Sequence, residues 1–180
     1  MNTVNARLAH RYALAFLDVY GATMQEHDFI ALRSAFNFLL NNADIFFFLT
    51  LAHISTDEKK RVVMKFINKF KLIPSFERLC MLLIEHRRMG LLKDVLRSLL
   101  WEYQERYKKF FFTVASSHTL SPDAQNIVQN FLHAQLKRDV IIEYTIDKSL
   151  IAGIKIIGDT FYWEYSIARQ LNKIKQAIIA

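Results

Sequence analysis

The chain has few of the residues that interrupt regular structure. It contains one cysteine, two prolines and four glycines in 180 residues. The single cysteine, Cys80, excludes an internal disulfide framework and a zinc site built from thiolates, and it fits a reducing compartment. Because prolines and glycines are scarce, long segments run without a break, and this favours helices.

Long apolar runs are also absent. The longest strongly apolar run, "IFFFLTLA" at 45–52, is far shorter than the ~20 residues that cross a bilayer. The opening segment "MNTVNARLAHRYALAF" has no apolar core of the signal-peptide type before Arg7. No transit-peptide-like stretch precedes the first helix either. We therefore expect a chain that is soluble, or that is peripheral to a membrane through a partner.

What the chain does have is apolar content and positive charge. Over half of the residues are apolar, which is enough for one or two cores, and the formal net charge is +7. A basic balance suits an acidic protein, a nucleic acid or an anionic membrane surface as partner. The charge alone does not choose among these partners.

The first part of the chain shows helical periodicity throughout. The capping-box pair Ser55 and Glu58 predicts a helix start, and Pro74 is typical of a first helical turn. Gly90 then interrupts the pattern. The predicted helices cover about 4–21, 25–41, 43–52, 55–70, 74–88 and 91–109.

After residue 108 the period changes. "KFFFTVAS" and "DVIIEYTI" are typical of strands because they are rich in β-branched and aromatic residues. Between them, Ser121 and Pro122 open a helix; "GIKII", "TFYW" and a last helix at about 165–178 follow. The sequence thus predicts a mostly α protein: a six-helix bundle in residues 1–107 and a small α+β domain in residues 108–180.

The stretch "GIKIIGDT" at 153–160 is close to a phosphate-binding loop, with Gly153, Gly158 and Thr160 in register. However, Asp159 stands where the motif needs lysine, and its carboxylate would repel phosphate. The Ile-Lys-Ile-Ile interior favours a strand. We interpret Gly158-Asp159 as a type II′ hairpin turn, with Gly158 at positive φ. This turn would pair Ile156 with Phe161 and Ile154 with Trp163.

No catalytic, cofactor or metal motif is recognisable. The six histidines are scattered, and none forms HExxH or an i, i+4 pair. Cys80 and His86 are six positions apart on one predicted helix, about 120° around its axis, which is a poor arrangement for a nucleophile and its base. We therefore expect no catalytic residue, no cofactor and no metal.

Basic residues cluster at Lys59, Lys60, Arg61, Lys65 and Lys69, and again at 87–88 and 108–109. Solvated helix faces are the simpler interpretation; contact with nucleic-acid phosphates is the alternative. No zinc finger, RNP signature or GxxG loop accompanies these clusters.

The first and fifth predicted helices have unusually wide apolar arcs. On the first, Arg7, Arg11 and Asp18 share one side and apolar residues cover the rest, roughly twice the ~100° stripe of an ordinary surface helix. The fifth repeats this pattern. These are either central helices of a bundle or helices with one flank in the core and the other in a groove for an amphipathic helix.

Three stretches resemble the delta subunit of F-type ATP synthases, the oligomycin-sensitivity-conferring protein family. They are "ARLAHRYALAFLDVY", "LLIEHRRMGLLKDVLRSLLWEY" and "VASSHTLSPDAQNIVQNFL…IIEYTIDKSLIAGIKI". The most specific part is Asp147-x-Ser149-Leu150-x-Ala152-Gly153. There are departures. The family turn Asn-Gly-Arg-Leu is "HRRM" at 86–89, the Gly158-Asp159 turn comes one residue early, and Glu164-Tyr165-Ser166 replaces Asp-x-Ser.

The resemblance implies a non-catalytic stator subunit that holds the catalytic head still while the rotor turns. The helical domain would bind the N-terminal segment of an alpha subunit, and the α+β domain would bind the b subunits of the peripheral stalk. Other ATP synthase subunits would be further partners, no nucleic acid is expected, and membrane contact would be indirect, at the cytoplasmic face of the bacterial inner membrane. The residues expected to line the alpha-segment groove are Leu8, Tyr12, Ala13, Phe16, Leu79, Leu82 and Leu83.

Two other functions stay open from the residues themselves: a basic helical nucleic-acid-binding protein and, third, an enzyme with no recognisable motif. The salt dependence of binding distinguishes a nucleic-acid-binding protein from a protein that binds a helix in an apolar groove. Binding driven by phosphate contacts falls steeply between ~50 and ~200 mM salt, whereas apolar groove binding barely changes.

Overall fold

The computed structural model describes residues 3–51, 53–137, 139–158 and 161–179. The chain forms two compact units, Met1–Arg106 and Tyr107–Ala180, called here the helical unit and the C-terminal unit. The boundary predicted from the sequence lies between residues 107 and 108, one residue away.

Six α-helices are found in the described residues of the helical unit, as the sequence predicts. In chain order they are α1 (Thr3–Tyr20), α2 (Glu26–Asn41), α3 (Ala43–Thr50), α4 (Thr56–Phe70), α5 (Pro74–Glu85) and α6 (Leu92–Tyr107). The Ser55 hydroxyl accepts a hydrogen bond from the Glu58 N–H at 3.2 Å, and the Glu58 carboxylate accepts from the Ser55 N–H, also at 3.2 Å. This reciprocal pair is the predicted capping box.

Helices α4 to α6, together with α7 (Pro122–Leu136) of the C-terminal unit, share an unusual ending. Within two residues of each helix end the chain adopts a left-handed conformation, and the residue there is basic instead of glycine: Lys71, Arg87, Lys108 and Lys137, with φ between 50° and 54°. At the end of α4, the Leu72 N–H reaches back to the Ile67 carbonyl at 3.1 Å, and Leu72 is buried. The left-handed backbone strains a lysine. In compensation, the lysine ammonium interacts favourably with the negative end of the helix dipole.

Lys71→Gly is therefore expected to stabilise the helical unit slightly. Glycine removes a backbone cost of about 1 kcal/mol, while the lost dipole interaction costs about 0.3–1 kcal/mol. Lys71→Ala should destabilise, because alanine keeps the strain and lacks the charge. Chemical denaturation at low and at high salt measures both variants, and the advantage of glycine should grow with salt. If Lys71→Gly and Lys71→Ala changed the free energy of unfolding equally, the backbone at residue 71 would not be strained.

The C-terminal unit is a four-stranded sheet with two helices. Its elements are β1 (Lys109–Ser116), α7 (Pro122–Leu136), β2 (Asp139–Ile146), β3 (Gly153–Gly158), β4 (Tyr162–Ser166) and α8 (Ile167–Ile179). The strand order is β2-β1-β3-β4; β1 and β2 are parallel, while β3 is antiparallel to both β1 and β4. Parallel β1 and β2 require a crossover, and α7 supplies it. Ser121 caps α7 by accepting from the Ala124 N–H at 3.3 Å.

The core of this unit lies between α7 and one face of the sheet. Alternate strand residues point to that face, as the period of a strand requires. The Phe112 ring meets the Phe161 ring edge to face, with 5.9 Å between centroids. The buried members of this core are Phe112, Val114, Val128, Leu132, Val140 and Ile156. The predicted fold class is confirmed.

The register predicted for the β3–β4 hairpin is wrong. Ile156 pairs with Trp163 and Ile154 with Tyr165, not with Phe161 and Trp163. The Gly158 N–H donates to the Phe161 carbonyl at 2.7 Å, so Gly158 still belongs to the β3–β4 ladder. Asp159 and Thr160, on which the predicted turn partly falls, lie outside the described residues. Gly158 does not have a positive φ; among the described glycines Gly153 does.

The reason for glycine at 158 is a neighbouring ring. A Cβ at Gly158 would lie 2.5 Å from Cε1 of Phe112, which faces it across the β1–β3 ladder. Gly158→Val should therefore cost the C-terminal unit about 1–3 kcal/mol through overpacking, and leave the helical unit folded. The measurement is denaturant unfolding followed by Trp163 fluorescence in a Trp101→Phe background.

A double-mutant cycle separates this cause from general strand disruption. In a Phe112→Leu background the ring is gone, so Gly158→Ala should cost much less than it does beside Phe112. An equal cost in both backgrounds would show that the ring is not the reason.

Candidate partner-binding groove and family loop

A surface groove of about 540 Å³ runs between α1 and α5 in the helical unit. Its lining consists of Leu8, Arg11, Tyr12, Ala15, Leu82 and Arg88. Leu82 is 40% exposed, which is high for a leucine in a packed bundle. A contiguous exposed apolar patch often marks a protein-binding site, whereas a single exposed leucine is ordinary.

Two arginine–tyrosine hydrogen bonds fix the alignment of α1 and α5. Arg88 Nη1 donates to the Tyr12 hydroxyl at 2.9 Å, and Arg78 Nη1 donates to the Tyr20 hydroxyl at 3.1 Å. The later residue on α1 pairs with the earlier residue on α5, so the two helices are antiparallel. The bond from Arg88 also holds its guanidinium at the rim of the groove.

The structure brings three of the seven predicted groove residues, Leu8, Tyr12 and Leu82, together in this lining. The other four are buried at 7% exposure or less: Ala13, Phe16, Leu79 and Leu83. They belong to the core of the bundle and support the groove from beneath. Whether the groove binds a partner stays a prediction.

Sequence reasoning missed several residues of this surface. Val4 and Val19 on α1 are 57% and 67% exposed, and they continue the line of Leu8, Tyr12 and Ala15. Residues 4, 8, 12, 15 and 19 fall within about 80° of one another on a helical wheel. The spacing of the two valines is a signal that the sequence contained. The rim arginines Arg11 and Arg88 were noted only as polar residues bounding the apolar arcs.

In the C-terminal unit, the loop between β2 and β3 is held by Asp147. Its carboxylate accepts hydrogen bonds from the N–H and hydroxyl of Ser149 and lies 3.0 Å from Lys155 Nζ. These donors, the Ser149 hydroxyl first, lower the pKa of Asp147 to about 2. Because the folded pKa lies below the usual value, the stabilisation is present above pH ~4 and is lost as the pH falls through about 2.

The same loop meets the start of α8. Gly153 pairs with Ser166 at the end of the β3–β4 ladder, and Leu150 is buried beside them. The Ser166 hydroxyl accepts from the Arg169 N–H at 3.1 Å and so caps α8. Five predicted motif residues, Asp147, Ser149, Leu150, Gly153 and Ser166, therefore lie at one end of the sheet. Gly158 is at the other end of β3.

Metal-ligand and nucleophilic side chains do not form a site in the described part of the chain. Among residues 3–51, 53–137, 139–158 and 161–179, no group of three His, Cys, Asp or Glu side chains could hold a metal ion. The thiol of Cys80 is fully buried, and burial raises its pKa. In that same part of the chain, no helix has the length and hydropathy needed to cross a bilayer.

Comparison with protein families gives a match over almost the whole chain. Residues 8–178 match the family model described as ATP synthase delta (OSCP) subunit. The chain belongs to this family. The α1–α5 groove and the Asp147–Gly153 loop are thus features of a delta subunit, and the function expected from the resemblance is confirmed: a stator component in the peripheral stalk of an ATP synthase.

Individual relatives of the delta chain agree in length as well as in sequence. The ATP synthase subunit delta of Syntrophus aciditrophicus is 27% identical over 177 residues, which cover 97% of each chain. That of Rickettsia africae is 25% identical over 172 residues, covering 95% of this chain and 94% of the relative.

A solved structure shares the fold of this delta chain. It is a chain of the mitochondrial ATP synthase hexamer of Toxoplasma gondii, with a TM-score of 0.55 and 20% sequence identity, covering 96% of this chain and 98% of the other. At this identity the likeness concerns the fold alone.

Proposed function

We propose that this delta subunit is a non-catalytic connector with one partner on each unit. The groove between α1 and α5 binds the N-terminal segment of an alpha subunit as an amphipathic helix. The C-terminal unit binds the b subunits of the peripheral stalk. The observation that carries the proposal is the exposed apolar stripe on α1 facing Leu82 across the groove.

The stripe sets the size of the segment. From Val4 to Val19 the stripe runs along α1 for fifteen residues, which is about 22 Å at the rise of an α-helix. A partner helix of about four turns matches this length. Its apolar side chains would lie at i, i+3, i+4 and i+7, the pattern of helix-in-groove recognition.

The positive charges at the rim of the groove predict acidic residues on the partner segment. Arg11 and Arg88 lie in the lining, and both side chains are exposed. Acidic residues on the flanks of the partner helix would meet them. Rim charges of this kind mainly set the association rate and the orientation of the partner, while the apolar anchors set the affinity.

For the b subunits, the supporting feature is α8. Ile167, Leu171 and Ile174 are spaced i, i+4 and i+7, and each is more than 40% exposed. They form one apolar stripe on a helix whose other side is basic and polar, which suits packing against an amphipathic partner helix. An acidic stalk helix would complement Arg169, Lys173 and Lys175.

The experiment is a pull-down from bacterial membranes with the tagged full-length chain, with partners identified by mass spectrometry. Wild type should recover both alpha and b. Leu171→Glu should lose b and keep alpha, because the charge interrupts the α8 stripe. Asn172→Glu, one position away on the other side of α8, is the matched control and should keep both. Recovery of b with Leu171→Glu would place the stalk contact elsewhere, and failure of wild type to recover either subunit would refute the proposal.

In this role the subunit has no catalytic residues and reaches the membrane only through its partners. It is a peripheral component at the cytoplasmic face of the bacterial inner membrane. A salt titration tests the same assignment: binding of the alpha segment should change little between ~50 and ~200 mM salt, unlike binding to phosphates.

A further inference from the structure

A second cavity lies at one end of the helical unit, where α3 ends, α4 begins and α5 ends. Its volume is about 350 Å³. The buried side chains of Leu49, Ile84 and Met89 form the apolar part of its lining, and His53, Lys59 and Arg87 form the basic part. Neither of the proposed partner surfaces uses these six residues.

The ionisable side chains that line this cavity are all basic. Its lining contains lysine, arginine and histidine but no aspartate or glutamate. Three acidic residues adjoin the lining in the sequence, namely Asp57, Glu58 and Glu85. The Glu58 carboxylate is held by the N–H and hydroxyl of Ser55 at 3.2 and 2.9 Å. Among the ion pairs found in the described residues, none involves Lys59 or Arg87. Two permanent cations thus line a concave space whose described lining contains no acidic side chain.

The backbone at Arg87 adds a second observation. This residue has φ +54°, in the left-handed region that glycine tolerates best. The turn around it is well formed, with Arg87 N–H to the Ile84 carbonyl at 2.9 Å and Arg88 N–H to the Leu83 carbonyl at 2.7 Å. Glycine would form this turn without strain. The arginine therefore adds a cation to the cavity at a cost to the backbone, as the basic residues at the ends of α4, α6 and α7 do at their own turns.

We propose that this cavity binds a phosphate group, either as free phosphate or as a small phosphomonoester. The guanidinium of Arg87 matches the geometry of phosphate oxygens, the Lys59 ammonium supplies a point charge, and the His53 ring can add a donor. Thr56 lines the cavity at the start of the fifteen-residue helix α4. The positive end of the dipole of α4 therefore lies at the cavity and also favours an anion. The volume is at the small end of ligand pockets, and the apolar lining leaves room for a short carbon group.

Arg87 and its neighbour Arg88 provide matched variants. Arg87 lines the basic cavity and Arg88 lines the α1–α5 groove, so the two adjacent arginines belong to different sites. Arg87→Gly removes the cation and relieves the strained turn, so the variant should fold at least as well as wild type. Arg88→Ala removes an equal charge one residue away.

The test is a titration of the full chain with inorganic phosphate, glycerol 3-phosphate, sulfate and acetate at constant ionic strength. Amide NMR shifts at Thr56, Lys59 and Gly90 report on the cavity. Saturable shifts confined to this region are expected, strongest for phosphate and glycerol 3-phosphate. Arg87→Gly and Lys59→Met should each weaken the binding about tenfold or more, and Arg88→Ala should leave it unchanged.

The two phosphate compounds distinguish the source of the group. Tighter binding of glycerol 3-phosphate assigns the site to a phosphomonoester; equal or tighter binding of phosphate assigns it to the free ion. Three results would overturn the proposal: no saturation, equal shifts with acetate, or equal losses from Arg87→Gly and Arg88→Ala. None of these results bears on the alpha and b contacts, which use other residues.

Discussion

Replacing Gly153 by alanine is expected to destabilise the C-terminal unit by about 3–5 kcal/mol, the combined cost of left-handed strain and overpacking. Gly153 has φ +109°, and a Cβ there would lie 2.1 Å from the Tyr165 carbonyl oxygen and 2.8 Å from Cα of Ser166. Both obstacles are backbone atoms of the β3–β4 ladder, so no side-chain rotation can relieve the clash. Denaturant unfolding, followed through Trp163 in a Trp101→Phe background, measures the loss.

Gly90 is the control for this prediction. A Cβ at Gly90 would meet only the Thr50 methyl group, at 3.8 Å, which is an ordinary contact. Gly90→Ala should therefore change stability by no more than about 0.5 kcal/mol. If Gly153→Ala unfolds at the same denaturant concentration as wild type, the close approach of β3 to the end of β4 does not exist in solution.

The second large effect concerns Leu82. Leu82→Glu is expected to weaken binding of an alpha N-terminal peptide by at least about 30-fold, equivalent to ~2 kcal/mol. An amphipathic helix in the groove would cover the glutamate and remove water from its charge, which is unfavourable. The free protein should keep its helical content, because Leu82 already faces solvent. Fluorescence anisotropy of a labelled peptide gives the affinity, and circular dichroism gives the helical content.

Leu40 on α2 provides a matched control for this substitution. It is 46% exposed, similar to Leu82, and lies outside the lining of the groove. Leu40→Glu should bind the peptide as wild type does. A folded Leu82→Glu protein with normal affinity would move the alpha contact to another surface, and an unfolded one would show that Leu82 supports the core.

The elements of the fold could be predicted from local signals. Ser55, Pro74 and Ser121 each mark a helix start through chemistry that involves only a few neighbouring residues. The change from helical to strand periodicity after residue 108 located the second unit to within one residue. These signals are local, so one sequence was enough to interpret them.

The groove could be predicted only in part. A wheel of α1 shows that the apolar arc is too wide for one contact, but it does not show which half of the arc meets the core. That choice is made by α5, whose alignment depends on the Arg88–Tyr12 and Arg78–Tyr20 hydrogen bonds across more than fifty residues of chain. For this reason Phe16 and Leu83 were assigned to the groove although they are buried.

The hairpin register failed for a similar reason. Gly158 was interpreted through the turn that follows it, but the requirement for glycine comes from the Phe112 ring on another strand. Local turn statistics contain no information about a ring that far away in the sequence. Gly153, in contrast, was found through the family motif, and its positive φ gives that motif a physical reason.

The basic residues that end helices α4 to α7 also affect the behaviour of the protein in concentrated solution. Substituting glycine at all four positions would relax four strained turns and lower the formal net charge from +7 to +3. Mutual repulsion between copies of the chain, which opposes precipitation, would then decrease. These four residues therefore link backbone strain to colloidal stability, and a glycine-capped variant gains resistance to unfolding while it loses solubility.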